Sequence, residues 1–118
     1  MKKQMAMEAL IEIRVPVIVF HDEDERMWYA HCPALDITGY GTTQKEASNS
    51  FAIVLEETIE YMIAHGTLHD ELLTLGWSKT QERLTPPPME TLLWKSKDLR
   101  RMMACSHSLS YSPLPAIA

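Results

Sequence analysis

His31 stands next to Cys32, the base-and-nucleophile pairing that a thiol enzyme would need. In an extended segment, neighbouring side chains point to opposite faces, so these two cannot hydrogen-bond to each other. Cys32 falls in phase with Trp28 and Ala30 and is read as a core residue. Asp22, Glu23, Asp24 and Glu25 form a dense acidic run, and hard divalent cations take oxygen ligands of this kind. Metal-assisted hydrolysis, however, needs carboxylates converging from several elements. Four in succession diverge, and the run is read as a solvated turn. His65 and His69 have the spacing that could place two imidazoles over one metal, but Gly66 and Thr67 interrupt the helix between them. No catalytic, cofactor-binding or metal-binding residue is therefore expected, and the chain is read as a protein without enzymatic activity. The candidates that remain are suited to contact: Tyr29 and His31 on one strand face, Tyr40 across from them, and Asp36 as an exposed carboxylate. Tyrosine is enriched at interfaces because it joins a large apolar ring to a polar tip.

The scaffold for these residues is one domain's worth of chain, 118 residues of which 46% are hydrophobic and 23% charged. Two cysteines without a C-x-x-C spacing exclude a disulfide framework. The net charge of -5 excludes a protein that coats nucleic acid generally, which would be basic overall. That charge divides unevenly: residues 1–77 carry 5 Lys/Arg against 13 Asp/Glu, and residues 78–118 carry 6 against 3. The basic residues of the second part, Lys95, Lys97, Arg100 and Arg101, are diluted by Glu90 and Asp98 and are read as a solvated helix face. Glu8, Glu12 and Arg14 interrupt the stretch where a secretory leader would need unbroken apolar sequence. No run approaches the ~20 apolar residues of a membrane span. A cytoplasmic protein is expected.

Period-two alternation predicts a strand over residues 11–20, with Ile11, Ile13, Val15, Val17 and Val19 on one face. Pro16 cannot donate a ladder hydrogen bond, so one side of this strand is expected to be unpaired there. After a polar connection, residues 27–32 form a hairpin with it, Trp28, Ala30 and Cys32 facing one way and Met27, Tyr29 and His31 the other. A third strand takes Leu35 and Ile37 in phase, with Asp36 between them facing away from the core and Gly39 and Gly41 closing it. Thr43 and Glu46 form a capping box at the start of a long helix. Its stripe runs through Ala47, Phe51, Leu55, Thr58 and Met62, widened by Val54 and Ile59, with Ile53 on the charged side. Gly66 ends this helix, and Thr67-x-x-Asp70 starts a short second one that stops at Gly76. Residues 78–84 are a weakly patterned fourth strand, Pro86–Pro88 a stiff break, and residues 89–103 a helix. The Ser- and Pro-containing stretch from Ser106 onward is read as a loop or an extended arm over a partner. The expected division is a core over 1–84 followed by a Pro-rich break, short helix and extended tail over 85–118 that is not an independent domain.

Residues 11–66 resemble the HicB-like antitoxin family, the protein-neutralising half of type II toxin–antitoxin systems. Pro16-Val17, the acidic turn Asp22–Glu25, the Trp28/Ala30/Pro33/Leu35 strand pattern and the Gly41/Thr43/Glu46/Ala47 helix start occupy the family's positions in order. The resemblance implies an α+β protein, β-β-β-α-β like a truncated RNase H fold. Its three- or four-stranded, mainly antiparallel sheet would carry the 43–65 helix on the Ile13/Val15/Trp28/Ala30 face. It also implies an antitoxin-like protein that neutralises a small basic HicA-type ribonuclease toxin by direct contact. The acidic first part fits such a partner, because opposite charge speeds and orients association. Such antitoxins commonly carry a DNA-binding module after this core. Residues 78–118 contain no pair of patterned helices joined by a tight turn, so no motif supports DNA as a partner. A homodimer is expected, since the sheet has an edge that needs cover. Two other readings stand beside this one: a stand-alone homo-oligomeric binding module of the same fold, and a metal-dependent nuclease using the 22–25 cluster.

Overall fold

The alternation of Val15, Val17 and Val19 builds β1 (Arg14–Asp22), the strand around which the protein is organised in a computed structural model that describes residues 13–80 and 83–114. Ile11 and the remainder of the amino-terminal stretch lie outside the described residues. β1 turns through Glu23–Arg26 into β2 (Met27–Cys32), pairing antiparallel from Ile18↔His31 to Asp22↔Met27. Asp22 fixes that turn: its Oδ1 accepts hydrogen bonds from the amides of Asp24 (3.0 Å) and Glu25 (3.2 Å). The third strand begins later than the alternation predicts, as β3 (Ile37–Gly41). Pro33–Asp36 is instead a turn, in which Leu35 is buried and Asp36 takes a left-handed φ of +54°. Gly41 closes β3 as expected, whereas Gly39 lies inside it. A Cβ on Gly39 would sit 2.2 Å from the amide nitrogen of Phe51, so glycine is what lets the long helix approach this strand.

That helix, α1 (Gln44–Ala64), starts at Thr43, whose hydroxyl accepts from the Glu46 amide at 3.1 Å. Glu46 reaches back one residue further than a capping box predicts, its carboxylate accepting from the amide and the hydroxyl of Thr42, both at 2.8 Å. Its buried stripe is Ala47, Phe51, Leu55, Ile59 and Met62; Ile59 takes the position expected of Thr58, which is half-buried. Gly66 (φ +67°) ends α1: its amide donates to the carbonyl of Ile63 and the Thr67 amide to that of Met62. Gly76 (φ +99°) ends α2 (Leu68–Thr74) in the same way, through the carbonyls of Leu73 and Leu72. Trp77 follows, buried, its indole Nε1 donating to the carbonyl of Ala34 at 2.8 Å. This bond ties the helical segment to the turn after β2.

The described residues of the expected fourth strand do not join the main sheet. β4 (Ser78–Thr80) and β5 (Arg83–Thr85) form a separate two-stranded ribbon. Past the three prolines, the single helix expected over 89–103 is two, α3 (Met89–Lys95) and α4 (Lys97–Ala104). Ser96 is extended between them and caps α4, accepting from the Leu99 amide at 3.0 Å. The stretch read as a loop or arm is β6 (Ser106–Pro113), antiparallel to β1. The sheet order is β3-β2-β1-β6, all antiparallel. β6 runs beside Pro16, whereas β2 joins β1 only from Ile18, so among the described residues no strand pairs with the β2 side of β1 at the proline.

The protein is thus α+β: among the described residues, a four-stranded antiparallel sheet with one long helix and three shorter ones. α1 packs on the face made by Val15, Val17, Val19, Ala30 and Cys32, with Ile13, Trp28 and Ile37 at the margin. Burying each of these large apolar side chains stabilises the fold by roughly 1.5–3 kcal/mol relative to exposure. No helix among the described residues is long and apolar enough to cross a membrane.

Candidate functional site

The opposite face of the sheet carries three of the candidate contact residues, Tyr29, His31 and Tyr40. The β2–β3 register sets Tyr29 against Tyr40 and His31 against Thr38, and the β1–β2 register sets Phe20 against Tyr29 and Ile18 against His31. The rings form a ladder: Phe20 and Tyr29 stack at 5.2 Å, and Tyr29 and Tyr40 lie 6.5 Å apart. Tyr40 is 61% exposed. The Tyr29 hydroxyl donates to Glu25 Oε1 at 2.6 Å, which ties the ladder to the acidic turn. That carboxylate holds the Tyr29 phenol above its ordinary range, because it accepts a hydrogen bond from the neutral phenol and would repel a phenolate.

The face is not wholly open. Ile18, on this side of β1, is fully buried, and Leu99 of α4 is 4% exposed. α4 packs against β1 here, so the C-terminal helices cover one end of the face that had been read as outward. A groove of about 320 Å³ remains between them, with His31, Pro33 and Asp36 on one wall and Lys95, Leu99 and Met102 on the other. His31 is half-buried, its Nδ1 2.8 Å from Thr38 Oγ1. Desolvation lowers its pKa, with the nearby Asp36 carboxylate working in the opposite direction. Asp36 lines this groove from a turn, not from the strand position expected of it.

The four candidates are therefore split between two places on one face. Tyr29 and Tyr40 are neighbours in the open ladder, while His31 and Asp36 share the groove below α3 and α4. Phe20 completes the ladder; the alternation over residues 11–20 marks only the odd-numbered residues, so it gives Phe20 no signal of its own. Trp94, 82% exposed, was missed as well. It lines a second hollow of about 370 Å³ with Glu90, Leu93 and Arg100, whose guanidinium donates to the carbonyls of Leu93 (2.6 Å) and Trp94 (3.1 Å).

Residues considered for catalysis are placed elsewhere. Cys32 is fully buried on the α1 face, and burial pushes its thiol up to about 11, far from a reactive thiolate. His65 caps α1, its Nδ1 2.9 Å from the carbonyl oxygen of Tyr61, while His69 lies in α2. Among the described residues no three His, Cys, Asp or Glu side chains converge as a metal site. No protein-family model, no curated protein and no solved structure matches the chain.

Proposed function

We propose that this chain is a binding protein rather than an enzyme, an antitoxin-like module that neutralises a small basic ribonuclease toxin of the HicA type by covering it. The observation that supports this most is the Phe20–Tyr29–Tyr40 ladder beside the Asp22–Glu25 turn. Aromatic rings supply contact area at little conformational cost, and a desolvated Tyr or Phe face attracts Lys and Arg side chains. The adjacent carboxylates steer a cationic partner to that face and fix its orientation. A preordered acidic turn needs no rearrangement to do this. The module works in the cytoplasm as a homodimer, with no cofactor and without DNA as a required partner.

Co-expression with the product of an adjacent gene encoding a small basic protein tests the reading. A complex that co-purifies, together with restored growth of cells expressing the partner, is the expected result. Absence of both for every adjacent product overturns it.

A further inference from the structure

We infer that two copies of the chain join edge to edge through β6, about a twofold axis that passes between their Ser110 residues. This rests on the homodimer proposed above and names its strand and register. β6 is outermost in the order β3-β2-β1-β6, and among the described residues no strand pairs along its outer side. A free edge offers a row of unsatisfied amides and carbonyls, which proteins ordinarily blunt with Lys, an inward charge or a mid-strand proline. β6 has none of these from Ser106 to Ser112, and the last formally charged residue of the chain is Arg101. Two molecules that each carry a net charge of -5 meet along this strip without opposing like charges.

Symmetry then selects the register. A closed dimer uses the same patch on both copies. In antiparallel pairing about an axis normal to the sheet, directly opposed residues share a face, so the axis falls on a residue. Centring on Ser110 sets Leu109 against the partner's Tyr111 twice and Ser108 against the partner's Ser112. Leu109 is 41% and Tyr111 56% exposed in one copy, and both lie on the face of Ile18. Centring on Leu109 or Tyr111 would set one of them against itself and leave the other without this partner. The irregularity between Val19 and Phe20 ends the even ladder at Ser108, and Pro113 ends the strand. The regular run 108–112 is therefore symmetric about Ser110. The product is one eight-stranded sheet, its two aromatic ladders set towards the far ends.

Cysteine cross-linking of the full chain in a Cys105→Ser background tests the register, Cys32 being buried. Opposed Cα atoms in such a pair lie about 4.5–5.5 Å apart, within disulfide reach. Ser110→Cys gives an oxidised dimer by itself. Ser108→Cys and Ser112→Cys each give none alone and a cross-linked dimer when mixed. Light scattering gives twice the 13.5 kDa chain mass for the unaltered protein. It gives the single mass for Leu109→Lys/Tyr111→Lys, with an unchanged circular dichroism spectrum, since both side chains are exposed in the single copy. A monomer in the unaltered chain, a dimer that survives the double substitution, or cross-linking of Ser108→Cys alone overturns the inference. No toxin enters these measurements, so failure here is separate from failure of partner binding.

Discussion

At the scale of single residues, two positions carry consequences that differ in kind. Gly39 is buried where β3 meets α1, and an added methyl would meet the Phe51 backbone and the Ala47 carbonyl oxygen, neither of which can swing away as a side chain would. Gly39→Ala is expected to destabilise the fold by about 1–3 kcal/mol, the usual range for overpacking, read as a lower urea midpoint. An unchanged midpoint would contradict the close approach of the helix. His31 acts through protonation. Its folded pKa lies below the ordinary 6.5 because burial disfavours the imidazolium, so the unfolded chain binds its proton first as pH falls. The stability that neutral His31 contributes is complete above about 6.5 and is lost as pH drops through the folded value. Glu46 is lowered from 4.5 by its bonds to Thr42, so its contribution is lost only in a separate, more acidic range. His31→Gln should flatten the fall in thermal midpoint between pH 7 and pH 5. An identical slope in both proteins would remove His31 as its source.

At the scale of elements, the C-terminal helices decide how much of the far face stays open. Leu99 is the buried side chain of α4, and Ile18 lies beneath that helix on β1. Leu99→Ala is expected to cost about 2–5 kcal/mol, measured by denaturant unfolding. A cost near zero would mean that α4 is not docked. The sequence made β1, β2 and α1 legible because their signals are strong: β-branched residues at period two, a threonine cap and an apolar stripe at helical spacing. It hid β6 because serine alternating with Leu109 and Tyr111 is period-two but weak in strand propensity, and the prolines nearby suggest a loop. β6 gains its structure from the open side of β1, a tertiary cause that no local window contains. The split between α3 and α4 had a readable signal in Ser96, a cap placed three residues before Leu99. Asp36 was misplaced because Leu35 and Ile37 look in phase, whereas the left-handed backbone at Asp36 breaks the strand between them. Alternation alone places Tyr29, His31 and Tyr40 on one face, but nothing local could show that the C-terminal helices would cover one end of it.

At the scale of the whole molecule, the proposed function gives charge and aromatic surface a joint role. The acidic turn sits at the edge of the ladder, and α1 exposes Glu56, Glu57 and Glu60 as well. Association with a basic partner should therefore slow as salt rises, since screening at 0.15 M ionic strength already acts over about 8 Å. Aromatic contact should instead govern how long the complex lasts. The most direct measurement is surface-immobilised binding kinetics of the co-purifying basic protein against the unaltered chain and Tyr29→Ala/Tyr40→Ala, at low and moderate salt. The association rate is expected to fall with salt in both proteins, and the dissociation rate to be at least about tenfold faster in the double variant, equivalent to about 1.4 kcal/mol. Binding of equal rate and lifetime in the two proteins would contradict that expectation.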